Sequence, residues 1–235
     1  MHDDLAGHYD AMFDDLYGDA YRLSTEALLE ILQSFHAPPA RVLDVGAGTG
    51  RVALAMAAAG YAVTAVEPSR GMRARLAEKA AAAACEIDLR AGVLPDALTP
   101  ADRGFALAVL ACGVIDYLVD NTAAETALRA IAARMAPGGV CVIQPADKSF
   151  MRSGVETGAH YQRQVVLRWQ GEVAHFVHRV LLDGQRVAEE TLSLRYRPPD
   201  VLEDLCQRAG WQLLEETSDG SYPTWVLGLR QSAAD

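Results

Sequence analysis

The chain has 235 residues, 51% hydrophobic and 22% charged, which excludes a disordered polymer and suits one sizeable α/β domain. Its 31 acids against 21 bases give a net charge of −10, so no nucleic acid is expected as a partner. Cys85, Cys112, Cys141 and Cys206 form no C-x-x-C pair, no apolar run reaches membrane-spanning length, and the acidic opening MHDDLAGHYD lacks the regions of a signal peptide. These features set the expectation of a cytoplasmic protein with no metal site, no disulfide framework and no membrane partner.

In chain order, Leu5 to Phe35 is helical in pattern, with a break expected near Gly18, and Pro38 and Pro39 end this lead-in. Val42, Leu43 and Val45 mark a strand over Arg41 to Val45, Gly46, Gly48 and Gly50 a tight turn, and Arg51 to Ala59 a helix. Strands over 62–66, 87–90, 105–111 and 140–144 alternate with helices over 71–83 and 123–135, which implies a parallel sheet with covering helices. Pro137, Gly138 and Gly139 read as a stop and turn before the strand VCVIQ. From Lys148 to Arg197 the pattern changes to strands over 164–170, 173–182 and 186–197, with Asp183-Gly184 as a hairpin turn, so an antiparallel sheet is inserted here. Pro199 to Ala209 reads as a helix stopped by Gly210, and WQLLEETSDG and TWVLGLR as two closing strands.

A lone glycine turn is weak evidence for a ligand, and the acids around this one sharpen it. Asp44 stands at the strand end, where a carboxylate would repel a pyrophosphate by several kcal/mol at roughly 4 Å and would instead suit an ammonium group. Arg51 occupies the place where G-x-G-x-x-G needs glycine, which disfavours a dinucleotide further. Glu67 closes the second strand, where an acid accepts hydrogen bonds from ribose hydroxyls. An adenosine carrying an amino acid in place of phosphates fits this pair.

With LDVGAGTG, VEPS and the following Met72, the chain resembles the class I S-adenosylmethionine-dependent methyltransferases. The resemblance implies an α/β, Rossmann-like, doubly wound and mostly parallel sheet with an antiparallel last strand and an inserted antiparallel β cap. It divides a single methyltransferase domain into a helical lid over 1–39, a cofactor-binding core over 40–147, the cap over 148–197, and a C-terminal helix and strand pair over 198–235. S-adenosylmethionine, leaving as S-adenosylhomocysteine, would lie against Asp44, Gly46, Ala47, Gly48 and Gly50 at its methionine part, Glu67 and Pro68 at ribose, and Met72, Gly92 and Val93 at adenine. Ala111 and Cys112 leave the fourth strand and should also line the site. Two departures stand out: Val93 replaces an acid that many members direct at the adenine, and Phe105-Ala106 replaces an F-D pair.

Methyl transfer from a sulfonium requires alignment, exclusion of water and removal of a proton, so few catalytic residues are obligatory. Tyr9 and Asp10 lie in the segment that folds over the cofactor in the resembled family, with Tyr17 and Tyr21 as further aromatic lid candidates. Asp116 and Tyr117 could touch the acceptor, although Asp116 better suits a cap of the next turn, with Tyr117 packed below. His160, His175 and His178 lie near the cap as candidate bases, and a strand period of two turns His175 and His178 to opposite faces. Arg195 and Tyr196 suit either an anionic acceptor or the entry of the last helix. The layout resembles the sugar N-methyltransferases and implies methylation of a small molecule at oxygen or nitrogen, without a metal. Rival readings are a noncatalytic module that keeps the cofactor pocket, an NAD or nucleotide-sugar protein, and a protein or nucleic-acid methyltransferase. The inserted sheet could also pair two chains as a homodimer.

Overall fold

The fold was obtained as a computed structural model, which describes residues 2–149 and 151–230. Two short helices open it, α1 (Tyr9–Tyr17) and α2 (Asp19–Phe35), separated at Gly18, whose φ of +48° breaks the helical path. Residues 3–8 form turns, so the helical lead-in starts later than the apolar pattern predicts. The core then alternates β1 (Arg41–Val45), α3 (Arg51–Ala58), β2 (Ala62–Glu67), α4 (Arg70–Ala82), β3 (Ile87–Ala91), β4 (Phe105–Leu110), a 3-10 turn (Val114–Tyr117), α5 (Asn121–Ala132) and β5 (Met135–Ile143). The inserted strands β6 (Gly154–Thr157), β7 (Tyr161–Gln170), β8 (Val173–Leu182) and β9 (Gln185–Arg195) come next, and α6 (Pro199–Arg208), β10 (Trp211–Ser218) and β11 (Pro223–Leu229) finish the chain.

Seven strands form one sheet in the order β10-β11-β5-β4-β1-β2-β3, parallel except for β11, which runs antiparallel to both its neighbours. Period-two alternation decides which helices cover which face. Val42, Val63, Leu107 and Val109 point toward α2 and α3, packing with Leu28, Leu32 and Met56. Leu43, Ala108 and Leu110 point the other way, toward α5 and α6, with Leu128, Ile131, Leu205 and Trp211, and Phe105 joins them because β4 is irregular between Phe105 and Leu107. Residues on both faces of β1 and β4 are thus buried, the signature of a sheet sandwiched between helices. The Pro137-Gly138-Gly139 turn lies within β5's span, and the register slips there, from Phe105 opposite Met135 to Leu107 opposite Val140.

The insertion is a separate antiparallel sheet in the order β6-β7-β8-β9, one strand more than the alternation predicts. Every residue of β6 is exposed, so it carries no alternation to read. One end of the inner face, with Tyr161, Val180 and Ala188, packs on Leu5 and Met12 of the lead-in. The other end, with Val165, Phe176 and Leu192, packs on Met151 and Tyr117. Asp15 of α1 fastens this sheet, because its carboxylate accepts the N–H groups of Ala159, His160 and Tyr161 at 3.1, 3.0 and 2.7 Å. No helix among the described residues is long and apolar enough to cross a membrane.

Candidate active site

The C-terminal ends of β1, β2 and β4 open toward the lead-in and the inserted sheet, the position where open α/β sheets hold their ligands. Asp44 lies at the end of β1 with 2% exposure, and among the described residues no partner meets its Oδ2. Burial, reinforced by the charge of Glu67 and opposed by that of Arg51, pushes the Asp44 carboxyl up to about 7. The backbone of Ala53 supplies one hydrogen bond to this carboxylate, but a buried carboxylate oxygen without a partner is costly unless something cationic completes it. Glu67 is also buried, and its two oxygens accept from the N–H groups of Gly48 at 2.9 Å and Ser69 at 2.8 Å. Carboxylate oxygens each have a second lone pair, so Glu67 retains acceptor capacity for hydroxyl groups.

The glycines of the turn differ in what surrounds them. A Cβ on Gly48 would meet nothing within 4 Å, whereas one on Gly50 would stand 2.2 Å from the Leu76 side chain. Gly50 therefore serves the packing of α4 on the turn, and Gly48 faces open space suited to a ligand. The side of Gly50 that a Cβ would occupy is filled by Leu76 and Leu54. Ala47 is buried in the core beside Ala111, and Met72 is 2% exposed, its N–H received by the Ser69 hydroxyl at 3.1 Å. Pro68 is exposed, and Val93 is half exposed beside Gly92.

The lead-in is fastened across this cleft by its acids. Asp10 accepts from the Thr49 hydroxyl at 2.6 Å and pairs with Lys79 at 2.9 Å, while Asp3 accepts from Ser69 Oγ and Gly71 N–H at 2.8 and 2.7 Å. The residue before Asp10, Tyr9, stacks on Phe13 with centroids 4.6 Å apart. Burial, with the nearby Tyr21, Cys112 and Tyr117, holds the Tyr9 phenol well above its ordinary range. Tyr21 carries the Arg51 guanidinium over its ring at 5.1 Å.

Arg51, read from sequence only as a misplaced glycine, is a junction of the site. It donates to Ser24 and Thr25 of α2 at 2.9 and 3.0 Å and to the Cys112 sulfur at 2.7 Å. Cys112 has a φ of +55° and gives its N–H to the Gln144 side chain at 3.2 Å; Gln144 in turn donates to Asp219 at 2.8 Å. Burial pushes the Cys112 thiol up, so it packs as a neutral group.

Asp116 and Tyr117 separate in role. Asp116 is 1% exposed, accepts the Ala146 N–H at 2.7 Å and faces the Arg197 guanidinium at 3.8 Å. Arg197 also donates to the Ile115 carbonyl at 3.1 Å, to the Leu118 carbonyl and to Asn121 Oδ1 at 3.0 Å, so this pair shapes the turn that presents Tyr117. Burial pushes the Asp116 carboxyl up to about 7. Tyr117 points to the cap, its hydroxyl 2.9 Å from His2 Nε2. Arg195 donates to the Val119 carbonyl and Tyr196 lies under Lys148 at 4.9 Å, which ties both to the chain around them.

The cap histidines lie apart from one another, with His175 and His178 on opposite faces as the strand period predicts. His160 is exposed at the hairpin end, 3.0 Å from Asp183, and His175 is exposed on the outer face, 2.8 Å from Ser193. His178 shares the inner face with Phe176 and Val180, but burial and the charge of Arg163 pull its pKa down to about 3. It is therefore a poor proton acceptor at neutral pH. Arg163, His178 and Glu190 form a polar strip between the two apolar ends of the inner face, with His178 directly opposite Glu190 in the register. Nothing in the sequence marked Glu190 or His2; the strip becomes visible only when the register of three strands is known.

The sheet order and the acid-flanked glycine turn define a Rossmann-like methyltransferase of class I. The profile of the methyltransferase domain family matches residues 18–216, and the chain belongs to that family. A solved S-adenosylmethionine-dependent methyltransferase from Clostridium acetobutylicum is similar over 96% of this chain and 99% of its own, with 14% identity and a TM-score of 0.82. The CcbJ methyltransferase from Streptomyces caelestis is 23% identical over 90% of this chain and 95% of its own, with a TM-score of 0.74. The sugar N-methyltransferase KedS8 from a Streptoalloteichus species is 20% identical over 95% of this chain and 93% of its own, with a TM-score of 0.72. At these identities the likeness is one of fold. No curated protein sequence matches the chain.

Proposed function

We propose that the chain transfers the methyl group of S-adenosylmethionine to an oxygen or nitrogen atom of a small molecule held between the core sheet and the cap. The observation that carries this reading is the pair of buried acids at adjacent strand ends, Asp44 with an unpartnered Oδ2 and Glu67 beside the open space at Gly48. The residues fit the donor: Asp44 would take its ammonium, Glu67 its ribose hydroxyls, and Gly48 admits it close to the backbone. Ala111, Cys112 and Tyr9 would flank the methionine part, and Met72, Gly92 and Val93 the adenine. When bound, the donor supplies a sulfonium methyl ready for in-line displacement. The lid of Tyr9 and the cap exclude water from it.

A cap fastened by Asp15 over the cleft favours small acceptors over polymers. KedS8 acts on sugar nitrogen, so amino sugars are the first acceptors to assay. Four free cysteines, two of them buried, favour a reducing compartment such as the cytoplasm. Titration calorimetry with S-adenosylmethionine and S-adenosylhomocysteine tests the donor, and heat from neither would sink the reading. Mass spectrometry of reactions with labelled donor and a panel of amino sugars and pooled metabolites tests the transfer; no labelled product from any of them would favour a binding module.

A further inference from the structure

Three residues remote in sequence meet under the cap. His2 Nδ1 lies 2.7 Å from Glu190 Oε2, and His2 Nε2 lies 2.9 Å from the Tyr117 hydroxyl. The His2 and Glu190 side chains are 17% and 9% exposed, and among the described residues no partner meets Glu190 Oε1. A short contact between an imidazole nitrogen and a carboxylate oxygen places the proton on Nδ1 and leaves Nε2 with its lone pair. The Tyr117 hydroxyl then donates to Nε2, and its own lone pairs remain to receive a proton.

We propose that Tyr117, His2 and Glu190 form the proton relay of methyl transfer, with His2 as the final acceptor and Glu190 as the residue that fixes its tautomer. This rests on the reading of a methyl acceptor bound beneath the cap. As the nucleophile's lone pair forms the bond to the methyl carbon, the carbon–sulfur pair stays on sulfur. Tyr117 takes the proton released by the nucleophile while its own hydroxyl proton passes to His2 Nε2. The positive charge lost from the sulfonium reappears on the imidazolium, against the Glu190 carboxylate. Burial and the charge of Glu190 hold the Tyr117 phenol above its ordinary range, so it conducts a proton and does not itself ionise.

The groups around His2 support this direction of travel. Glu190 faces it from β9 and Tyr117 from the 3-10 turn, Tyr9 of α1 lies with its ring 6.5 Å away, and the charge of His2 is felt by His178 on β8, beside Arg163 on β7. His178 stays neutral and does not compete for the proton. On its other side His2 borders a depression of about 340 Å³, lined also by Asp3, Asp4, Glu189 and Glu190, through which the proton can reach solvent.

The test has two arms. In the first, imidazole nitrogen NMR on the S-adenosylhomocysteine-bound chain is expected to show the neutral His2 ring held in one tautomer, with its proton on Nδ1. Glu190→Gln is expected to release the tautomer. A wild-type His2 that averages freely between tautomers overturns the relay. Calorimetry on the same samples keeps this failure distinct from failure of donor binding. In the second arm, His2→Gln and Tyr117→Phe are assayed with the amino sugar methylated in the panel. Each is expected to lower kcat on the order of 10²-fold with the acceptor KM nearly unchanged, and to show no further loss when combined. Unchanged kcat in His2→Gln, or a loss confined to KM, overturns the proposal. The NMR arm decides whether or not a panel member is methylated.

Discussion

Asp44→Asn is expected to make the ligand-free chain more stable and the donor-binding chain weaker. The Asp44 carboxyl climbs from 3.8 to about 7 because burial penalises its charge. At about 1.4 kcal/mol per pH unit this corresponds to roughly 4 kcal/mol of lost stability at pH 8. The sign follows from proton counting: the folded chain binds the proton more tightly than the unfolded one, so stability falls as pH rises from the unfolded value through about 7. Asparagine removes the charge and keeps an unpaired polar amide, so about half of that figure, ~2 kcal/mol, should be recovered. For a chain of this size that is a rise in Tm of about 4–8 °C at pH 8, shrinking toward pH 4. Scanning calorimetry without ligand reads this directly. Titration with S-adenosylmethionine should show about 10- to 100-fold weaker binding, the loss of a charge-assisted contact of roughly 1.5–3 kcal/mol. A variant no more stable than wild type at pH 8, or one that binds the donor equally well, would refute the reasoning.

Gly48→Ala should weaken donor binding severalfold or more with a modest fall in Tm, since its Cβ enters open space at a φ of +57°; equal affinity by calorimetry would remove Gly48 from the site. Gly50→Ala should instead cost stability through the 2.2 Å clash with Leu76, visible as a lower Tm with and without ligand. Arg197→Met leaves Asp116 buried without its cation and should cost about 3–5 kcal/mol by chemical denaturation at pH 8. That cost should be less at pH 5, below the Asp116 value of about 7, where the acid is protonated. Asp15→Ala should release the β6–β7 turn, read as faster hydrogen exchange at Ala159, His160 and Tyr161. Their N–H groups hold the Asp15 carboxyl below its ordinary range, so in wild type the fastening persists above the usual carboxylate value and is lost only as pH falls past the lowered one.

The core was legible because its signals are local. A strand, a glycine turn and an acid at each of two strand ends lie within about 30 residues, and Asp44 and Glu67 fall where those short motifs put them. The closing antiparallel strand came only with the resemblance to the methyltransferases, because alternation marks where strands lie and not which of them are neighbours. Arg51 was legible as a departure, but its bonds to Ser24, Thr25 and Cys112 join three segments that only tertiary structure brings together. His2 carries no local signal at all: its two partners lie 115 and 188 residues away. The alternation correctly turned His175 and His178 to opposite faces, yet it could not tell which face meets the core, because both contain apolar residues.

The polar strip of the cap has a consequence for how this scaffold can change. Arg163, His178 and Glu190 occupy alternate positions on three adjacent strands, while the apolar residues before and after them hold the sheet to α1 and to the segment around Met151. Arg163 also donates to the Tyr17 hydroxyl and the Glu156 carboxylate, and Glu190 holds His2, so exchanges at 163 and 190 loosen ties to the lead-in as they change the polarity of the inner face, whereas an exchange at 178 leaves both ties in place. Asp44 and Glu67 lie on the other sheet, so under the proposed function the residues that hold the methyl source and those of the cap can change apart from one another.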